Sequence, residues 1–415
     1  MIKKSVSLFY CLILLVFHTG VKAQCSFTNP LKMAESADPF VTFIDGYYYY
    51  LYTTGGDVTI RKSFYLNEIG KAEGVKVWDY ATANSVVKGH VWAPELHRIN
   101  GKWYVYTCGS LTADQRSENM RMIVLQAFSD DPQSDYAFKA VIADVPAIDE
   151  SIWLDDVTGK YYISWSQFDP EGQCIYIAPL ENPTKVGFPR VKISSPQSQW
   201  EKNGWNVNEG PIFIKKNNKL HISFSASGCS TPDYCLGLLT CSDGDYLNAA
   251  SWLKTGPVFK RSDSNGVYGP GHNCFVQSPD GSEIWNVYHA KSSSENTNAD
   301  RSTRMQTISW DVNDHPVFGI PVKPGKFFEC PSEDDVSVAT VQNERPVLIV
   351  QNGQLTIRPN SGTAHLQIRL FNLNGTMLAS KSILESEFSK QLQKGFYLVQ
   401  IFNDRNLYNY KIIIH

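Results

Sequence analysis

The sequence has no run of basic residues longer than two, and its net charge is −3. A nucleic-acid surface needs clustered Lys and Arg, so that class of partner is excluded. No C-x-x-C spacing occurs among its nine cysteines, so zinc is not suggested. Beyond Phe17 no stretch is apolar enough to span a membrane as a helix. What is abundant is aromatic side chain, at 13% Phe, Trp and Tyr. Much of it must be core, but exposed Trp and Tyr also stack on sugar rings.

The N-terminus reads as a targeting segment. Lys3-Lys4 precedes an apolar run, Val6 to Phe17, that is too short for a membrane-spanning helix. Val21-Lys22-Ala23 offers a small-residue cleavage site, which makes residues 1–23 a signal peptide. Cys25 follows, but Gln24 and Lys22 are poor neighbours for a lipidated cysteine. Cys11 leaves with the signal, and export puts the other cysteines in oxidising conditions where some pair. Cys229 and Cys235 are close enough to bridge one hairpin. The connectivity stays open.

One pattern is written five times: a tight polar turn followed by an aromatic, alternating strand. The turns are Asp45-Gly46, Asn100-Gly101, Thr158-Gly159, Asn217-Asn218 and Asp280-Gly281. Such pairs tolerate the positive φ of a two-residue hairpin. The copies recur about every 60 residues, a period that suits a four-stranded unit repeated radially. The fold class is all-β: a five-bladed β-propeller over 24–330. Residues 331–345 read as an acidic, polar linker. Short alternating strands after Pro346 make 346–415 a small β-sandwich, with strands at Gln354–Ile357, Leu366–Leu370, Gly395–Ile401 and Tyr410–Ile414.

A few residues before the five turns stand Asp38, Glu95, Asp149, Glu209 and His272. If the five units are equivalent, so are these positions. The first strand of each blade lines the channel, so four carboxylates and an imidazole would face one axis. A single acid at a strand start is normally just solvated; five in register are harder to explain that way. Crowded like charges raise one another's pKa values and cost stability, which marks a functional cleft. Of the neighbouring acids Asp149 and Glu150, only one can face the axis on a strand, and the repeat picks Asp149. Trp92, before Glu95, is either a core plug or part of the cleft wall.

Three carboxylates on one axis can break a glycosidic bond. One protonates the leaving oxygen, one activates water on the opposite face, and a third tunes pKa. Inversion needs roughly 6.5–9.5 Å between acid and base. The acid must stay protonated near neutral pH through burial or a neighbouring charge.

The residues also resemble a known family. Asp38-Pro39, Trp92-Ala93-Pro94-Glu95, Ile148-Asp149, Asn208-Glu209-Gly210-Pro211 and Gly269-Pro270-Gly271-His272-Asn273 resemble glycoside hydrolase family 43. Ser225-Ala226-Ser227-Gly228 and Trp285-Asn286-Val287-Tyr288-His289-Ala290 extend the likeness over about residues 30–325. The α-L-arabinofuranosidase branch is the nearest in look. The resemblance implies a five-bladed propeller and inverting hydrolysis, with Asp38 as general base, Asp149 as pKa modulator and Glu209 as general acid. It implies substrate contacts at Trp92, Arg301, Arg304, His289 and Glu95. Glu95 stands where many members have Asp, which leaves its role open. It implies calcium in the channel beside His272, held with waters, and no organic cofactor. The expected partner is an arabinose-containing plant polysaccharide or oligosaccharide, cut at terminal α-L-arabinofuranose. β-Xylosidase, endo-arabinanase, galactofuranosidase and a non-catalytic sugar-binding propeller stay as alternatives.

The tail from about residue 340 resembles the C-terminal sorting domain of type nine secretion. Asn374-Gly375, Lys394-Gly395-Phe396-Tyr397-Leu398-Val399 and Lys411-Ile412-Ile413-Ile414 carry that likeness. It implies secretion machinery as a partner and a secreted or cell-surface location. A small carbohydrate-binding sandwich is the alternative.

Overall fold

The computed structural model describes residues 25–332 except 34 and 115, and residues 347–414 except 352, 359–365, 384–386 and 403–406. The signal peptide and most of the linker expected from the sequence lie outside the described residues. Two compact units divide the chain, Met1–Asp334 and Asp335–His415.

The first unit is a five-bladed propeller in which every blade is an antiparallel meander. Blade one runs Phe40–Ile44, Tyr47–Leu51, Asp57–Ser63, Gly74–Asp79. Blade two runs Gly89–Ile99, Lys102–Ser110, Met120–Ala127, Tyr136–Val141. Blade three has Ala147–Leu154, Tyr161–Asp169 and Gly172–Asn182, edged by the short strands Lys185–Val186 and Val191–Ser194. Blade four runs Asn208–Lys216, Lys219–Ala226, Cys235–Cys241, Trp252–Phe259. Blade five runs Tyr268–Gln277, Ile284–Lys291, Ser302–Trp310, Pro316–Val317.

The five predicted turns all join the first and second strands of a blade. Asp45-Gly46 and Asn100-Gly101 are two-residue turns with both residues at positive φ, as a right-twisted hairpin prefers. Asn217-Asn218 is also a two-residue connection. The other two are wider: residues 155–160 and 278–283 separate the strands they join.

The core lies between blades rather than in one centre. Blades one, two and five share Tyr48, Tyr50, Val58, Leu96, Val105, Val276 and Val287. Blades two and three share Tyr106, Val124, Ile163 and Trp165. Ile175, Ile177, Ile222 and Phe224 join three to four, and Leu236, Phe259, Tyr288 and Phe318 join four to five. The alternation of each strand turns one apolar set toward each neighbour. The ends of the ring meet where Ser26–Thr28 pairs antiparallel with Phe327–Glu329. Cys25 and Cys330 form a disulfide across that pair. Cys229 and Cys235, close enough in sequence to bridge a hairpin, are instead both free.

The second unit packs the sheet Val347–Gln351, Gln354–Arg358, Phe388–Gln391 against the sheet Met377–Ile383, Leu366–Asn372, Gly395–Phe402, Leu407–Ile414. Leu355, Ile357 and Phe388 meet Leu366, Ile368, Val399, Ile401 and Ile412 in one core. This is the expected small sandwich, with Gly375 at φ 73 in its Asn374-Gly375 turn. No helix among the described residues is long and apolar enough to cross a membrane.

Candidate active site

In every blade a residue that lines the central cavity, on the innermost strand or in blade one just before it, takes the left-handed backbone region. These are Asp38 (φ 56), Ala93 (φ 46), Asp149 (φ 60), Gly210 (φ 54) and His272 (φ 46). In blades two to five the ladder skips just there, at Trp92/Glu95, Ile148/Ser151, Glu209/Ile212 and Gly271/Cys274. A bulge of this kind re-aims a side chain out of the pleat, here toward the axis. Left-handed backbone is costly for residues with a Cβ and persists where the surroundings enforce it.

This corrects the register expected from the sequence. The equivalent residues are Asp38, Ala93, Asp149, Gly210 and His272. Glu209 precedes its bulge residue by one, and Glu95 follows its own by two. Counting back from turns to the nearest acid cannot see the bulge. The proline after the bulge residue in three blades (Pro39, Pro94, Pro211) was the usable signal.

The bulges surround a narrow central cavity lined by Asp38, Glu95, Asp149, Gly210 and His272 among others. Asp38 is at its most crowded point. Its Oδ2 accepts from Thr53 Oγ1 at 2.7 Å. Its Oδ1 lies 3.2 Å from His272 Nδ1 and 3.5 Å from Arg301 Nη1. Burial alone would raise its pKa, but the charges of His272 and Arg301 hold it well below the usual carboxylate range.

Asp149 and Glu209 go the other way. Oxygens of both lie within 4.8 Å of each other and of a His272 nitrogen. Burial is the main cause that raises both pKa values; the Glu209 charge adds to Asp149, and Asp38 adds to both. His272 partly offsets this and is itself raised: burial opposes its charge, but Asp38, Asp149, Glu209 and Glu95 prevail. The site therefore holds one ionised carboxylate beside a pair that keeps a proton. Asp149 Oδ2 also accepts from Gly210 N–H at 3.0 Å, fixing blade three to blade four.

The other expected residues separate into groups. Arg301 and His289 are in the site, with His289 fully buried. Glu95 lines the cavity but is paired with His97 Nε2 at 2.8 Å. Trp92 is partly buried against Cys108, Met120 and Ile148, so both of its readings keep support. Arg304 is fully buried and bonds Ser302 Oγ and Ser292 Oγ; no carboxylate of the site touches it. Glu150 is buried and is not among the residues that line the cavity, and burial holds its pKa well above the usual carboxylate range.

Besides Thr53 on Asp38, two residues around Glu209 escaped sequence reasoning. Tyr234 donates to Glu209 Oε1 at 2.7 Å, and Gln173 Nε2 donates to Oε2 at 2.9 Å. Tyr234 also stacks on His289, with centroids 5.5 Å apart. Both sit away from the inner strands, where the repeat gives no pointer.

Residues 27–316 match the family description "Glycosyl hydrolases family 43". The chain belongs to that family. Residues 351–415 match a secretion system C-terminal sorting domain, which makes the family 43 chain a secreted or cell-surface protein. An extracellular exo-α-(1→5)-L-arabinofuranosidase of Streptomyces avermitilis is 37% identical over 318 residues, 72% of this chain and 64% of that protein. Another, from Streptomyces chartreusis, is 33% identical over 280 residues, 64% of this chain and 82% of that protein. The solved α-L-arabinofuranosidase of Lactobacillus brevis shares 30% identity at a TM-score of 0.67, over 72% of this chain and 98% of that one. The family 43 chain spans 64% of the length of three curated relatives it matches.

Proposed function

We propose that this family 43 chain is an exo-acting, inverting α-L-arabinofuranosidase that releases terminal arabinofuranose from plant cell-wall polysaccharide. One observation carries the reading: three carboxylates of opposite electrostatic bias gather around one imidazole, that of His272. Asp38, held ionised between His272 and Arg301, is the base that takes a proton from water. Glu209, tethered on both oxygens and pushed toward its protonated form, gives its proton to the leaving oxygen. Asp149, with an oxygen within 4.8 Å of a Glu209 oxygen, is the modulator that shares that proton. Arg301 holds sugar hydroxyls. The names of the relatives support arabinofuranose as the sugar.

The test offers 4-nitrophenyl α-L-arabinofuranoside, β-D-xyloside and β-D-galactofuranoside to the protein and to Glu209→Gln. Release from the arabinofuranoside, lost in the variant, is expected. Release from another sugar alone would keep the mechanism and move the substrate. Turnover unaffected by Glu209→Gln would remove the mechanism. Proton NMR of the first product must show the inverted anomer.

Calcium beside His272 belongs to the same proposal. His272 gives Nδ1 to Asp38, so a bound cation would take the place of the proton on Nε2 and supply the positive charge in its stead, with the Glu95 carboxylate lining the same cavity. One imidazole, a carboxylate and waters suit a hydrated calcium ion, which prefers oxygen ligands. Bound, it would supply positive charge near the acids. Protein that carries no calcium by atomic emission, and loses no activity in chelator, would remove the ion from the proposal.

A further inference from the structure

Blade five buries two cations completely, Lys291 and Arg304. Neither forms an ion pair with a described residue. An ammonium taken out of water without a counter-charge is costly, and an apolar side chain of similar length would fill the space. Lys291 instead spends its three protons on three backbone carbonyls. Nζ donates to Ser230 O, to Glu295 O at 2.9 Å and to Thr297 O at 3.3 Å.

Those carbonyls belong to two loops at the site. Ser230 lies between the second and third strands of blade four. Glu295 and Thr297 lie in residues 292–301, between the second and third strands of blade five. Thr297 N–H bonds Ser230 O at 2.9 Å, so the loops are joined twice. The second loop is closed on itself by Ser292 N–H on Asp300 Oδ2 and braced by Arg304 Nη2 on Ser292 Oγ. At its end stands Arg301, whose Nε donates to Asn298 O at 3.1 Å while Nη1 faces Asp38. Asn298 Oδ1 also accepts from Cys229 Sγ of the first loop.

We propose that Lys291 is a positioning residue: its buried ammonium staples the two loops together and so sets the Arg301 guanidinium against Asp38 and the sugar. The inference rests on the proposed role of Arg301, so any effect of Lys291 on turnover must pass through that side chain.

The test compares Lys291→Met, Arg301→Ala and the double variant on the glycoside that the wild type turns over. Hydrogen exchange of the 293–300 amides is followed alongside. For Lys291→Met, KM rises roughly tenfold while kcat stays within about threefold, the signature of a lost sugar contact that ground and transition states share. The double variant is no worse than Arg301→Ala, and the loop amides exchange faster. Unchanged KM and exchange, or losses that add to those of Arg301→Ala, would overturn the proposal. If Lys291→Met does not fold, Asp300→Ala loosens the same loop from its solvent side. It must reproduce the KM rise and lose it in the Arg301→Ala background, or the proposal fails. A wild type that turns over none of the glycosides would sink the hydrolase reading instead, and the exchange data would still decide the staple.

Discussion

The backbone N–H of Asp38 donates to Nδ1 of His289 at 3.1 Å. That bond fixes the tautomer, because a nitrogen that accepts a proton bond carries no proton of its own. His289 is therefore neutral with its hydrogen on Nε2, in keeping with a pKa pushed down to about 4 by burial. Nδ1 also lies 3.4 Å from Asp38 Oδ1, yet it has nothing to donate there. The cations that keep Asp38 ionised are His272 and Arg301. His289 sets where the carboxylate stands.

The pH dependence follows with its sign. The profile of kcat/KM reports the free enzyme. With Asp38 as the proposed base, the rising limb should lie below the ordinary carboxylate value of about 4. With the proton of the Asp149–Glu209 pair as the proposed acid, the falling limb should lie above that range. Arg301→Ala removes a cation from Asp38, so its rising limb should move to higher pH. A rising limb that stays put would remove Arg301 from the base's environment.

Glu209→Gln should lower turnover by about 10²–10⁴-fold, the usual worth of a general acid. It should also stabilise the protein. A carboxyl whose folded pKa is raised costs stability once the pH passes its unfolded value, since the fold disfavours its charge. The gain should be about 2–4 °C in Tm near pH 8 and should vanish below about pH 4. Calorimetry at both pH values checks this, and an equal gain at both would mean packing rather than charge.

Tyr234→Phe deletes the hydroxyl bonded to Glu209 Oε1 while leaving a ring to stack on His289. A donor to a carboxylate favours its ionised form, so its loss should push the falling limb to higher pH. kcat should drop about tenfold through the looser acid. Unchanged kcat and an unchanged limb would show that Gln173 alone orients Glu209.

Cys25→Ser opens the disulfide that ties the start of the propeller to its end, 305 residues apart. In the chain-entropy model so long a loop is worth about 5–6 kcal/mol. The Tm should fall by several degrees, and Cys330→Ser should match it. Wild-type protein in reductant should fall equally; if it does not, the serine side chains are the cause.

Much of the fold was legible because a propeller repeats. The turn-and-aromatic-strand pattern located all five first hairpins, and the acids pointed to the axis. The register was not legible. Glu209 and Glu95 stood in for Gly210 and Ala93 because chemical likeness is a poor guide to equivalence across a bulge. Tyr234 and Gln173 were invisible for another reason: they reach Glu209 from other strands, and only the assembled sheets bring them near. The disulfide was out of reach because ring closure, rather than spacing, brings Cys25 to Cys330. Arg304, expected at the substrate, serves instead as a brace behind the loop that carries Arg301.

The five left-handed positions have a consequence for how this family 43 chain could change. The ring asks each blade for a backbone shape and leaves the side chain free, which is why Asp, Ala, Asp, Gly and His occupy the same place. At Gly210 the place is kept clear: a Cβ there would press on the His272 ring at 3.2–3.3 Å. Ala93 has no such obligation. It is a socket already turned to the axis and filled only by a methyl group. A new ligand or acid could be installed there without altering the architecture.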